Sequence, residues 1–244
     1  MSNITFQFKQ FTIQQDRCAM KVTTDGCLFG AWVADYLRVH PVEGNALDIG
    51  AGTGLLSLMI AQKTSLTVDA VEIDPLAAGQ AFQNILGSPF SDRIKVVQAD
   101  ISEAGEHLNN QYNFIVSNPP FYENSLVSPD NRKNSAHHHH SLKLDTLLSV
   151  IQQRLTPDGD FFLMLPAARW EELKSRVAEY GLAISTVMFV NQTPKHSFFR
   201  VLVRGRHRST IIEEHHQEEM TIKGEDGNYT EQFVFLLKEY YLYL

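Results

Sequence analysis

Asn118-Pro119-Pro120-Phe121 is a rigid pair of acceptors beside an aromatic plate. Asn118 offers a side-chain carbonyl. Pro119 biases it away from helical backbone, and two successive prolines fix where the Pro119 carbonyl points. Phe121 adds a flat apolar face. This set suits a planar exocyclic amine, such as N6 of adenine or a carboxamide nitrogen. An ordinary Pro-Pro turn after a core strand carries the same letters, so the residues upstream decide between the two.

Upstream lies Asp48-Ile49-Gly50-Ala51-Gly52-Thr53-Gly54. The glycines let backbone approach a ligand closely, and the helix expected to follow presents free N–H groups. The Gly-x-Gly-x-Gly spacing differs from the dinucleotide fingerprint. An acid at the mouth of this turn, Asp48, would repel a pyrophosphate and suit an ammonium or a sulfonium. Glu72 stands about 20 residues beyond the turn, where an acid at a strand end can accept from two ribose hydroxyls. Asp100 could accept from an adenine amino group. Four strands in succession thus end in a polar residue: Asp48, Glu72, Asp100 and Asn118. Ligands of open α/β sheets bind beyond the carboxyl ends of the strands. Four unrelated helix caps are the plainer alternative, but they do not account for the shared register with a glycine turn and Asn-Pro-Pro-Phe.

The elements that must position these residues follow from periodicity. Residues 4–14 approximate the period-2 pattern of a half-buried strand. Residues 27–37 suit a helix, with Thr24 or Asp25 as a natural N-cap. Strands are expected over 45–49, 67–73, 94–98 and 112–117, and helices over 55–61 and from Pro75, a favoured first position, to about Asn84. Residues 122–141, with His137 to His140, form a long polar loop; adjacent histidines converge poorly on one ion, so no metal is expected. A helix from Ser141, a strand over 160–165, a helix over 170–180, and an antiparallel pair over 182–190 and 198–203 follow. The 229–241 stretch reads as an amphipathic helix whose aromatics belong to the core.

The 244-residue chain is 43% hydrophobic and 20% charged, as in a soluble globular protein. It is expected to form a single domain: an N-terminal strand and helix extension over 1–44, a catalytic core over 45–204, and a C-terminal strand and helix over 205–244. No apolar run of about 18 residues predicts a membrane span, and the N-terminal sequence does not read as a signal peptide. Two cysteines, Cys18 and Cys27, are too few for a disulfide scaffold, and a cytoplasmic location is expected. A net charge of −7 argues against a generic nucleic-acid binder. The average hides a basic stretch over 195–208 and an acidic one over 213–226.

The Asp48-to-Gly54 turn, Glu72, Asp100 and Asn118-Pro119-Pro120-Phe121 stand in the order and spacing of the class I S-adenosylmethionine-dependent methyltransferases, which the chain resembles. Lys21-Val22-Thr23-Thr24-Asp25-Gly26 and the closing Tyr229-Thr230 … Leu236-Leu237-Lys238-Glu239-Tyr240-Tyr241-Leu242 are similar to the bacterial tRNA-Val adenosine-37 N6-methyltransferases. That resemblance covers nearly the whole chain, departing from it with Phe for Tyr at 121 and with the four-histidine loop.

It implies a doubly wound, mostly parallel sheet with an antiparallel last strand, in a Rossmann-like three-layer α/β sandwich. It implies S-adenosylmethionine as cofactor and tRNA as substrate. Asn118, Pro119, Pro120 and Phe121 would be the catalytic set, with Phe121 stacking on an extruded base. Thr24, Asp25, Asp48, Gly50, Gly52, Gly54, Glu72, Ile73, Asp100 and Ile101 would hold the cofactor: Thr24 and Asp25 at the methionine, Ile73 and Ile101 as apolar walls. Arg200, Arg204, Arg206 and Arg208, with the 131–140 loop, would contact phosphates, or else form a solvated strand edge. Two rival readings stay open. A glutamine-N5 methyltransferase has a similar turn but a substantial N-terminal helical domain, where only about 44 residues precede the first core strand here. A non-catalytic cofactor-binding module would not need the intact Asn118 and all three glycines.

Overall fold

The structure, a computed structural model, describes residues 4–18, 20–40, 43–109, 111–119, 142–208 and 215–244. Near-continuous apolar runs make the central strands: β3 (Asn45–Ile49), β4 (Thr67–Glu72), β5 (Ile94–Gln98), β6 (Tyr112–Ser117) and β7 (Leu155–Pro166). All pair in parallel, as expected of strands buried on both faces. Strands β8 (Leu182–Asn191) and β9 (Phe198–His207) form an antiparallel hairpin. β9 inserts between β8 and β7, so it is the antiparallel member of the sheet. Beyond it lies β10 (His216–Thr221), which pairs in parallel with β8 at the edge. The strand order of this eight-stranded sheet is β10-β8-β9-β7-β6-β3-β4-β5. The acidic 213–226 stretch thus supplies the edge strand, where charge discourages further strand pairing.

Helices cover both faces, giving the three layers. On one side pack α1 (Thr24–Val39), α2 (Leu55–Lys63), α3 (Pro75–Leu86) and the C-terminal α6 (Glu231–Leu237). On the other lie α4 (Leu144–Arg154) and α5 (Trp170–Val177). The alternation of strand side chains divides the core accordingly: Ala46, Val68 and Phe114 face the first set, Leu47, Val71 and Ile115 the second.

Three sequence expectations change in detail. Residues 4–14 form a hairpin of two short strands, β1 (Thr5–Gln7) and β2 (Thr12–Gln14), because Phe8 and Phe11 stack across the turn at 4.6 Å. The N-cap of α1 is Thr23, one residue earlier than Thr24, its hydroxyl accepting from the Gly26 N–H. The 170–180 helix closes with a 3-10 turn over Ala178–Tyr180. The C-terminal aromatics are core only in part: Phe233 and Tyr240 are buried and Tyr241 packs against Phe6 and Phe8, but Tyr229 and Phe235 are exposed. Among the described residues, no helix is long and apolar enough to cross a membrane, and no group of three His, Cys, Asp or Glu side chains is arranged to hold a metal.

Candidate active site

The sheet changes winding direction between β3 and β6, the switch point at which α/β folds open a ligand crevice. Ile49 pairs in register with Ser117 across that point. The buried Ser117 hydroxyl donates to the Ile49 carbonyl over 2.7 Å, clamping the two strand ends together. Gly50 and Asn118 are the next residues on each strand, so the glycine turn and the Asn-Pro step leave the sheet side by side. Asn118 is half-buried and Pro119 buried. Pro120, Phe121 and the 131–140 loop lie outside the described residues.

Gly50, Gly52 and Gly54 all have positive φ, the left-handed region that glycine tolerates. A Cβ at Gly50 or Gly52 would meet nothing within 4 Å among the described residues. The other side of the turn is tied down. The Gly50 and Ala51 N–H groups donate to the Val71 carbonyl, and Gly52 N–H donates to Glu72 Oε2 over 2.8 Å. The second Glu72 oxygen accepts from Asp74 N–H at 2.9 Å. This buried carboxylate therefore braces the turn and the start of α3 together, with further lone pairs on each oxygen.

Asp48 does not stand at the mouth of the turn. It is fully buried behind it, and Oδ2 accepts from both the N–H and the hydroxyl of Ser57, at 3.2 and 2.7 Å. The reason is local: Gly54, the N-cap of α2, has no side chain to cap with, so an acid from β3 serves the helix's first turn. Among the described residues, the buried Asp48 Oδ1 has no hydrogen-bond partner. Burial pushes this carboxyl up from 3.8 to about 6, against the two Ser57 bonds that pull it down.

Beyond the ends of β3, β4 and β5 opens a cavity of about 260 Å³. Ile49, Val71, Ile73, Ala99 and Ile101 give it apolar walls, and Asp100 and Ser102 give it polar ones. Asp100 Oδ1 accepts from both the N–H and the hydroxyl of Ser102. Leu142, Lys143 and Thr146 close the cavity from the start of α4. Sequence reasoning passed over these three, because nothing in their local pattern connects them with β3 to β5.

The four arginines do not form one surface. Arg200 pairs with Pro166 at the carboxyl end of β7 and Gly205 with Phe161 midway along it, so Arg200 and Arg206 stand roughly 20 Å apart at about 3.3 Å per residue. Arg200 Nε bonds Asp25 Oδ2 at 2.8 Å, joining the start of α1 to β9. Asp25 thus holds an arginine of this chain, and Thr24 beside it is half-buried. Arg204 lies over the Tyr36 ring and bonds Thr186 Oγ1, and Arg206 pairs with the buried Asp160 at 2.9 Å. Arg208 is exposed beyond the strand's far end.

Comparison with known proteins accords with this geometry. The sequence model of the family described as Methyltransferase small domain matches residues 32–166. A protein of Parabacteroides distasonis named tRNA1(Val) (adenine(37)-N6)-methyltransferase is 39% identical over 242 residues, covering 99% of each chain. One of the same name from Dyadobacter fermentans is 40% identical over 245 residues, covering 98% of each. The chain belongs to the tRNA1(Val) (adenine(37)-N6)-methyltransferase family. In solved structures, the fold of this family member is matched by a predicted O-methyltransferase from Agrobacterium tumefaciens, with TM-score 0.63, 16% identity, and coverage of 88% and 95%.

Proposed function

We propose that the chain transfers a methyl group from S-adenosylmethionine to N6 of an adenosine in tRNA, at position 37 of tRNA-Val, and acts in the cytoplasm. The observation that carries the reading is the Ser117–Ile49 clamp, which sets Asn118 beside the glycine turn at the switch point. Homologues of that activity match over nearly the full chain.

The residues present fit the cofactor. Gly50 and Gly52 hold left-handed backbone, and a Cβ at either would project into the cradle. Glu72 keeps lone pairs free for ribose hydroxyls, and the cavity walled by Ile73 and Ile101 offers Asp100 to an adenine amine. The buried charge of Asp48 acts through the turn and α2, its Oδ1, unpaired among the described residues, being the acceptor left over. Thr24 and Asp25 border the methionine end, Asp25 held in place by Arg200.

The cofactor supplies a methyl already activated on a sulfonium. The residues of this chain therefore contribute position and electrostatics. The adenine N6 lone pair is delocalised into its ring. Asn118 Oδ1 and the Pro119 carbonyl accept the two N6–H bonds, which favours a more tetrahedral nitrogen with its lone pair aimed at the methyl carbon. The nitrogen becomes acidic only after methylation, so its proton leaves to solvent and no prior general base is needed.

For tRNA phosphates the favoured surface is the carboxyl-end edge of the sheet. Lys195 and His196 on the exposed 192–197 hairpin, Lys143 before α4 and Arg200 lie there, with Phe198 as an exposed ring. The test is methyl transfer from labelled S-adenosylmethionine to total bacterial tRNA, with nucleoside analysis of the digest. Label in N6-methyladenosine is expected. Label in a protein fraction instead would favour glutamine methylation and remove this reading.

A further inference from the structure

Asn84, on the inward face of α3 and 4% exposed, uses both amide N–H donors and accepts once on its oxygen. Oδ1 accepts from Gln14 N–H at 2.8 Å. Nδ2 donates to the Gln14 carbonyl at 3.0 Å and to the Thr53 carbonyl at 2.9 Å. One side chain thereby pairs with β2 as a strand would and fixes a peptide inside the glycine turn. One helical turn earlier, the buried Gln80 accepts from Arg17 N–H and donates to Asp16 Oδ1. Gln15, also buried, accepts from Val22 N–H. Gln14, Asp16 and Arg17 are therefore laced to α3, and Gln15 ties them to Val22, just before the N-cap of α1.

We propose that Asn84 is a positioning residue for the cofactor, coupling the glycine turn to the 14–23 segment so that the turn keeps its cradling form while that segment is docked. The proposal rests on the reading of the turn as the cofactor cradle. Thr53 is the residue between Gly52 and Gly54, so the carbonyl that Asn84 holds belongs to the Thr53–Gly54 peptide, whose plane sets the left-handed φ of Gly54. Among the described residues, the Gln80 amide bonds the segment, at Asp16 and Arg17, and not the turn. The two amides, one helical turn apart, therefore separate docking of the segment from control of the turn.

The test uses the full chain, with S-adenosylhomocysteine as the binding probe in calorimetry and steady-state kinetics on tRNA. Asn84→Asp keeps shape but sets a second oxygen against two carbonyls, and Asn84→Ser keeps one donor in a smaller side chain. Both are expected to raise Kd for the probe and KM for the cofactor by on the order of tenfold, the scale of a lost buried hydrogen bond. Turnover at saturating cofactor and KM for tRNA stay near wild type. Gln80→Ala is expected to give a smaller rise. In the wild type, hydrogen exchange should slow at 51–54 and at 14–23 together when the probe binds. Wild-type affinity in folded Asn84→Asp or Asn84→Ser, or protection of 51–54 without 14–23, would overturn the coupling alone. A wild-type protein that does not bind the probe would remove the cradle reading, and the coupling with it.

Discussion

Glu72 Oε2 accepts the Gly52 N–H over 2.8 Å, so the acid placed for the ribose also holds the glycine turn. Its other oxygen holds Asp74 N–H. Gln at 72 can satisfy one of those donors and sets an NH2 group against the other. Both Glu72→Gln and Glu72→Ala are therefore expected to weaken S-adenosylhomocysteine binding by at least tenfold, ~1.4 kcal/mol. Calorimetry reads this directly; wild-type affinity in Glu72→Gln would separate the acid from the cofactor.

Asn118 is assigned a role in the reacting step and not in cofactor binding. Asn118→Ala should lower kcat by about 10²–10³, the usual cost of one removed polarising group. Probe affinity should stay within about twofold, ~0.4 kcal/mol. Single-turnover kinetics on tRNA makes the comparison, and full turnover in the variant would end the assignment.

Asp48 gives the fold a pH signature. Its carboxyl sits at about 6 in the folded chain against an ordinary 3.8, so the folded state binds more protons between those values. The stability tied to this group is present below 3.8 and is lost as pH rises through about 6. Asp48→Asn should flatten that part of the stability profile. Urea midpoints of the two proteins from pH 4 to 7 test it; parallel profiles would mean the buried carboxyl titrates normally.

The division of the arginines predicts opposite phenotypes for two cations of the same basic stretch. Arg206→Ala removes the cation paired with the buried Asp160 carboxylate, which keeps the Tyr36 hydroxyl on its other oxygen. It should cost about 1–3 kcal/mol of stability, with unchanged tRNA affinity. Lys195→Ala should leave stability alone and reduce the slope of log K against log salt by about one. A common loss of tRNA affinity in both variants would restore the single-patch picture.

The sheet was legible because β3 to β6 are short apolar runs, and Glu72, Asp100 and Asn118 do stand at or just beyond the ends of β4, β5 and β6, whereas Asp48 lies inside β3. The glycine turn and the Asn118 corner were legible for the same reason, since each is local in sequence. What escaped was set by tertiary contact. Asp48 reads as an acid at the mouth of a turn, yet Ser57, nine residues on, draws it behind the turn. Arg200 reads as a free cation until α1 brings Asp25 to it from 175 residues away. Asn84 and Gln80 did carry a signal, as two polar residues four apart on the face that Ala77, Ala81 and Ile85 bury. Only the partner strand reveals what they hold.

The most direct measurement is methyl transfer to two tRNA-Val transcripts that differ only at position 37, adenosine in one and guanosine in the other. The account predicts N6-methyladenosine in the digest of the first and no label in the second. Equal labelling of both, or label in any other nucleoside, would contradict it.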